Sequence, residues 1–220
     1  MTSTVDPNAA ATAAAQATAQ SPGTVGLFAE SSSAMFYVIR ALREFDASPY
    51  TRFSSHYGSM GHALAGAVGF AAATRQVAIV VTGDGSLDMM NPLRTAIKHG
   101  LRLIVIVLND SRLGLPYFGA RHLGAKQAEA TTHRPQWDYT RQGSPLVGGR
   151  QVSRPSELAS AISSAIAWRG CYVVDVLVDR DVSPPAGARH KSVDALFGPT
   201  PSPCPAVGAG GGGASKGELL

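Results

Sequence analysis

Residues Val77–Gly114 read VAIVVTGDGSLDMMNPLRTAIKHGLRLIVIVLNDSRLG, and the order of residue types within them decides the fold class. Val77–Thr82 is a short β-branched run. Leu103–Leu108 is a second run, apolar on both faces as in the central strands of a covered parallel sheet. Between them the sequence predicts one helix, with Asn91 suited to the N-cap, Pro92 to the first helical position and Gly100 to a left-handed stop. Strand, helix and strand at this length make a βαβ crossover, right-handed in nearly every case. Parallel strands end on one edge of the sheet. The turns Gly83-Asp84-Gly85-Ser86 and Asn109-Asp110-Ser111-Arg112 are therefore expected side by side, as two halves of one site.

The residue types say what such a site holds. Gly83 and Gly85 permit unusual φ values and close backbone approach, and Ser86 adds a hydroxyl and an N–H, so the first turn suits phosphate oxygens. Asp84 alone would repel a phosphate. A hard divalent cation between them removes the conflict: Asp84, Asp110 and a backbone carbonyl near Arg112 supply oxygen ligands, and a diphosphate completes an octahedral Mg²⁺ shell.

GDGS, a helix carrying MNPL, an apolar strand and then LND resemble the cofactor motif of thiamine-diphosphate (ThDP) enzymes, GDG followed some two dozen residues later by NN. Upstream, SSHYGSMGHALAGAVGFAAA is similar to the glycine-rich turn and small-residue helix of acetolactate synthases and of benzoylformate, phosphonopyruvate and sulfopyruvate decarboxylases. GLFAESSSAMF resembles the strand and polar turn that open the same domain, and YVVDVLVD its closing strand. The likeness covers roughly residues 21–184, with two departures. The Asp84–Asp110 spacing is one residue shorter than the commonest pattern, and Asp110 stands where the second Asn is usual.

The resemblance implies an α/β fold, a doubly wound, mostly parallel sheet with helices on both faces. It also assigns residues. Gly58 and Ser59 belong to the turn that meets the aminopyrimidine, and Met60 matches the bulky residue that props the cofactor into its bent shape, with core packing as the plainer alternative. Leu87, Leu113 and Gly114 flank the cofactor turns. His56 stands where glycine is usual, suited to proton transfer or to a substrate carboxylate, or else simply structural. The turn Glu30-Ser31-Ser32-Ser33 shares the carboxyl edge in a doubly wound sheet, so Ser31, Ser32 and Ser33 either reach the diphosphate or cap the helix that follows.

The 220 residues, 45% hydrophobic and 15% charged, suffice for one ordinary core. Residues 1–20, nearly all Ala, Thr, Gln and Ser, read as a disordered tail, and residues 185–220 as a flexible Pro/Gly/Ala-rich one. The ThDP domain is thus expected over 21–184. No signal peptide or membrane span is read, and Cys171 and Cys204 lack paired spacing, which suits reduced thiols in a cytoplasmic protein. The net charge of +4 is scattered, arguing against nucleic acid. His122 and His133 lack zinc spacing and read as surface residues.

In the resembled family a glutamate on a separate pyrimidine-binding domain activates the cofactor, and no such domain is read here. The expected role is therefore the diphosphate- and Mg²⁺-binding subunit of a two-subunit decarboxylase of small 2-oxo acids, paired with a pyrimidine-binding subunit, as α₂β₂. The alternatives are a carboligase like acetolactate synthase, a 2-oxo acid oxidoreductase subunit, and a non-catalytic scaffold subunit.

Overall fold

The computed structural model describes residues 4–21, 23–45, 50–53, 57–141 and 144–185. His56 and the expected C-terminal tail lie outside the described residues. The elements run α1 (Pro7–Gln20), β1 (Val25–Ala29), α2 (Ser33–Ala41), β2 (Thr51–Phe53), α3 (His62–Thr74), β3 (Val77–Gly83), α4 (Asp84–Met89) and α5 (Leu93–Lys98). They continue with β4 (Leu103–Asn109), α6 (Gly114–His122), α7 (Ala128–Thr132), β5 (Val147–Val152), α8 (Pro155–Ala167) and β6 (Cys171–Leu177).

The strands form one sheet in the order β2-β1-β3-β4-β6-β5, and every neighbouring pair is parallel. Strands β3, β4 and β6 are apolar on both faces because both are covered. Ile79, Val81, Ile104, Ile106 and Val174 face a core shared with α1, α2 and α8, while Val80, Leu103, Val105, Val107 and Val173 face α3 and α5. The period of two along each strand divides the residues between these layers. The chain leaves β1 in one direction to β2 and then returns to its other side for β3. That reversal places a crevice beyond the carboxyl ends of β1 and β3, where open α/β sheets bind their ligands.

Two expectations are corrected. Residues 7–20 are not a disordered tail but a helix on the sheet: Ala10, Ala11, Ala14 and Ala15 are buried in the first core layer. Asp6 caps it by accepting from the Asn8 N–H at 2.7 Å, Pro7 opens it, and Val5 before it bonds Leu177 and Asp179 beside β6. Alanine has the best intrinsic helix propensity, and its small side chain lets α1 approach closely. The β3–β4 connection, expected as one helix, is split. Residues from Asp84 onward already turn as α4, and Pro92 is the N-cap of α5 rather than its first helical residue, with the Asn91 side chain accepting from Leu93. Gly100 does take the left-handed conformation, at φ +58°.

Candidate functional site

The crevice is a pocket lined by Ser31, Ser32, Ser33, Met60, Gly83, Asp84, Gly85, Ser86, Asp110, Arg112, Leu113 and Gly114, together with Pro7, Tyr37, Leu108, Val178, Asp179 and Val182. The βαβ geometry thus brings together both turns that the sequence placed at one edge. Gly83 pairs with Leu108 across β3 and β4, which sets Asp84 and Asp110 at neighbouring strand ends.

Each half has a local cause. After β1, Ser32 is the N-cap of α2 and its hydroxyl accepts from the Ala34 N–H at 3.2 Å; Ser33 Oγ is buried with no hydrogen-bond partner. Capping therefore uses Ser32, and the Ser33 hydroxyl is left unpartnered. After β4, Asp110 Oδ1 accepts from the Arg112 N–H at 3.1 Å, and Ser111 adopts φ +53°, so a tight turn follows the strand. Neither glycine of the first turn has a positive φ, contrary to the reason the sequence suggested. Their use is the missing Cβ. One at Gly83 would lie 3.3 Å from Ser32 Cβ, and one at Gly85 would lie 2.7 Å from Leu113 and 2.8 Å from Arg134. A Cβ at Gly114 would sit 2.8 Å from Ser33 Oγ and 3.2 Å from Asp110 Oδ2, so glycine keeps that wall open.

The electrostatics of the two carboxylates are unusual. Asp84 is 2% exposed; Oδ1 accepts from the Gly85 N–H at 2.8 Å, while Oδ2 has no partner. Burial, then the Asp110 charge, pushes its carboxyl up to about 7 against the pull of Arg134. Burial pushes Asp110 up to about 6, with Arg112 first among the groups opposing it. The Asp84 oxygen that the protein leaves unpartnered and the neighbouring Asp110 carboxylate, next to the orphaned hydroxyls of Ser33 and Ser86, fit a cation bound to an oxyanion. Among the described residues no group of three or more His, Cys, Asp or Glu is placed to hold a metal.

Three expected residues lie off the pocket lining. Leu87 is 1% exposed and packs in the second core layer, supporting the turn from beneath. Gly58 leans toward Ser31, its added Cβ falling 3.4 Å from Ser31 Oγ, and Ser59 is exposed nearby. Four residues gain roles that the sequence reading did not assign. Glu30, fully buried, accepts from Ser31 N–H at 2.8 Å and Leu64 N–H at 3.0 Å, thereby capping α3, whose own N-cap Gly61 has no side chain. Asp175, also fully buried, accepts from Asn109 Nδ2, the Tyr139 N–H and Gln151 Nε2 at 2.9–3.1 Å and so braces the strand that carries Asp110. Both were visible as carboxylates beside apolar strand residues, which demand partners once buried. Arg112 was chosen for its carbonyl, but its buried guanidinium lies 3.7 Å from the Tyr117 ring centroid and bonds Glu129 and the Arg180 carbonyl. Arg134 reaches the first turn from a distant loop, and no sequence signal marked it.

Residues 32–176 match the family model for the thiamine pyrophosphate enzyme C-terminal TPP binding domain. The chain belongs to this family. Its cofactor is ThDP, and the crevice above is where the family's motif residues meet. The chain is similar to YdaP of Bacillus subtilis, named as a thiamine pyrophosphate-containing protein, at 31% identity over 135 residues, covering 60% of this chain and 23% of that one. It is 26% identical over 151 residues to the acetolactate synthase isozyme 2 large subunit of Escherichia coli, covering 65% of this chain and 28% of the relative. A ThDP-dependent 4-hydroxybenzoylformate decarboxylase of Rhodococcus jostii RHA1 shares the fold, with TM-score 0.68 and 22% identity over 81% of this chain and 33% of that one. The chain spans about a quarter of the length of the curated relatives it matches. No helix among the described residues is long and apolar enough to cross a membrane.

Proposed function

We propose that this domain is the diphosphate-binding half of a ThDP-dependent 2-oxo acid decarboxylase and acts with a pyrimidine-binding domain on a separate subunit, as α₂β₂. The observation that carries this reading is a buried carboxylate, Asp84, beside a half-buried one, Asp110, and unpartnered serine hydroxyls at the switch point of the sheet. Asp84, Asp110 and the Arg112 carbonyl would hold Mg²⁺, and Ser33 and Ser86 would bond the diphosphate. Neither bond of the backbone bridge beside Arg112 uses that carbonyl: the bridge takes the Ser111 carbonyl and the Leu113 N–H. Bound ThDP supplies a carbon nucleophile for a carbonyl and an electron sink for the pair left when carboxylate departs. Met60, on the pocket wall, would support the cofactor, and His56 would handle a proton or the substrate carboxylate. Met60 lines the pocket and is exposed, as are Tyr57, Met89 and Met90, apolar surface suited to a covering partner. The buried unpaired thiol of Cys171 suits a cytoplasmic setting.

Likeness to an acetolactate synthase favours a second reading, in which the same half-site serves carboligation. One experiment separates them: the complex purified from its host is given a panel of small 2-oxo acids, and CO₂, aldehyde and 2-hydroxy-ketone products are measured. Aldehyde in step with CO₂ supports decarboxylation, and coupled products support the synthase reading. A wild-type complex indistinguishable from its Asp84→Ala variant on every acid leaves a non-catalytic subunit.

A further inference from the structure

Arg134 connects the two turns of the site although it belongs to neither. Its backbone N–H donates to the Ser111 carbonyl at 2.9 Å, inside the short antiparallel bridge between Arg112 and His133, and so grips the turn that follows Asp110. Its guanidinium crosses to the other turn and pairs with Asp88 on α4, the helix that begins at Asp84. On the way it packs over the turn's backbone, with Nη1 2.8 Å from where a Cβ on Gly85 would stand. Asp88 also accepts from the Tyr139 hydroxyl at 3.1 Å, so a second residue of the same loop joins the grip. The side chain is 18% exposed and lies outside the core layers.

We propose that Arg134 is a positioning residue, a strap from the 134–139 loop that holds the Asp84 turn and the Asp110 turn at the separation a shared cation needs. The proposal rests on the cofactor reading for its purpose, not for its geometry. Without the strap the two strand ends stay paired in the sheet, but the turns beyond them lose their common tie. Lysine retains the charge but has a single donor head, which cannot both pair with Asp88 and cover the turn.

The test uses the full chain in its native complex, with Arg134→Ala, Arg134→Lys, Asp88→Asn and the Ala/Asn double variant. ThDP affinity at saturating Mg²⁺ is measured by calorimetry, and amide hydrogen exchange is followed without cofactor. The strap predicts about tenfold weaker ThDP binding for Arg134→Ala, the size seen when support around a metal ligand is lost. It predicts partial recovery with lysine, no further loss in the double variant, and faster exchange at residues 84–89 and 110–113 with β4 and β6 unchanged. Wild-type affinity in Arg134→Ala overturns it, as does a loss of affinity without faster exchange in both turns. If the wild-type complex binds no ThDP, exchange alone decides: loosening of both turns upholds the strap while the cofactor reading falls, and unchanged exchange overturns the strap.

Discussion

A carboxylate that is 2% exposed and keeps one oxygen unpartnered is less well stabilised in the fold than in water, and Asp84 is such a group. Folding holds its proton more tightly than the unfolded chain does, since its carboxyl moves from 3.8 to about 7; Asp110 moves the same way, to about 6. By linkage, the stability this pair lends is full below about pH 4 and is lost as pH rises to about 7. In metal-free buffer, wild type and Asp84→Asn are therefore expected to unfold at nearly the same temperature at pH 4. They should diverge as pH rises, the variant melting roughly a few degrees higher at pH 8. Adding Mg²⁺ and ThDP should reverse the order, because only wild type gains the bound cation. Calorimetric scans across that range check this; a variant no more stable than wild type at pH 8 would contradict it. Glu30 is a buried carboxylate with both oxygens used. Glu30→Gln places an NH₂ against one of two N–H donors, and a loss of about 1–3 kcal/mol in urea unfolding is expected. A loss under about 0.5 kcal/mol would show that α3 does not depend on this cap.

At the scale of elements, the strands were the legible part. Val77–Thr82, Leu103–Leu108 and Tyr172–Asp179 announce themselves as β-branched runs, and parallel pairing then places Asp84 beside Asp110 without further information. What escaped has identifiable causes. The helix α1 escaped because its buried and exposed positions are both mostly alanine, which leaves no apolar stripe to read, although Asp6-Pro7 marked its start. GDGSLDM contains poor helix formers, and its helical turn is set by the strand end and the packed Leu87. Arg112 meets Glu129 on α7 and the Arg180 carbonyl after β6, and Arg134 meets Asp88 on α4, contacts between segments far apart in the chain that nothing local encodes. The docked α1 has a direct check: Asp6→Ala should cost about 1 kcal/mol through the lost cap, and Ala14→Leu about 1–3 kcal/mol by overfilling the contact in the first core layer. Equilibrium urea unfolding measures both. Two silent substitutions would mean that residues 7–20 do not pack on the domain.

For the whole molecule, the sheet order puts the site where the winding reverses between β1 and β3, with Met60 on its wall, and Tyr57, Met89 and Met90 are exposed as well. Tyr57 is 97% and Met89 66% exposed, surface that a covering partner would remove from water. Substituting Met89 and Met90 together with glutamate should leave the melting temperature within about a degree or two, since neither is core, and should release the partner in a pull-down. The central claim is that this domain holds the Mg²⁺–diphosphate end of ThDP for a pyrimidine-binding subunit. It is tested most directly by tagging the chain in its native host, purifying it gently, and determining the co-purifying polypeptides together with the ThDP and Mg²⁺ content. The account predicts a pyrimidine-domain partner and about one ThDP per pair, as a single shared site requires. A chain recovered alone, and taking up no ThDP when the cofactor and Mg²⁺ are supplied, would contradict it.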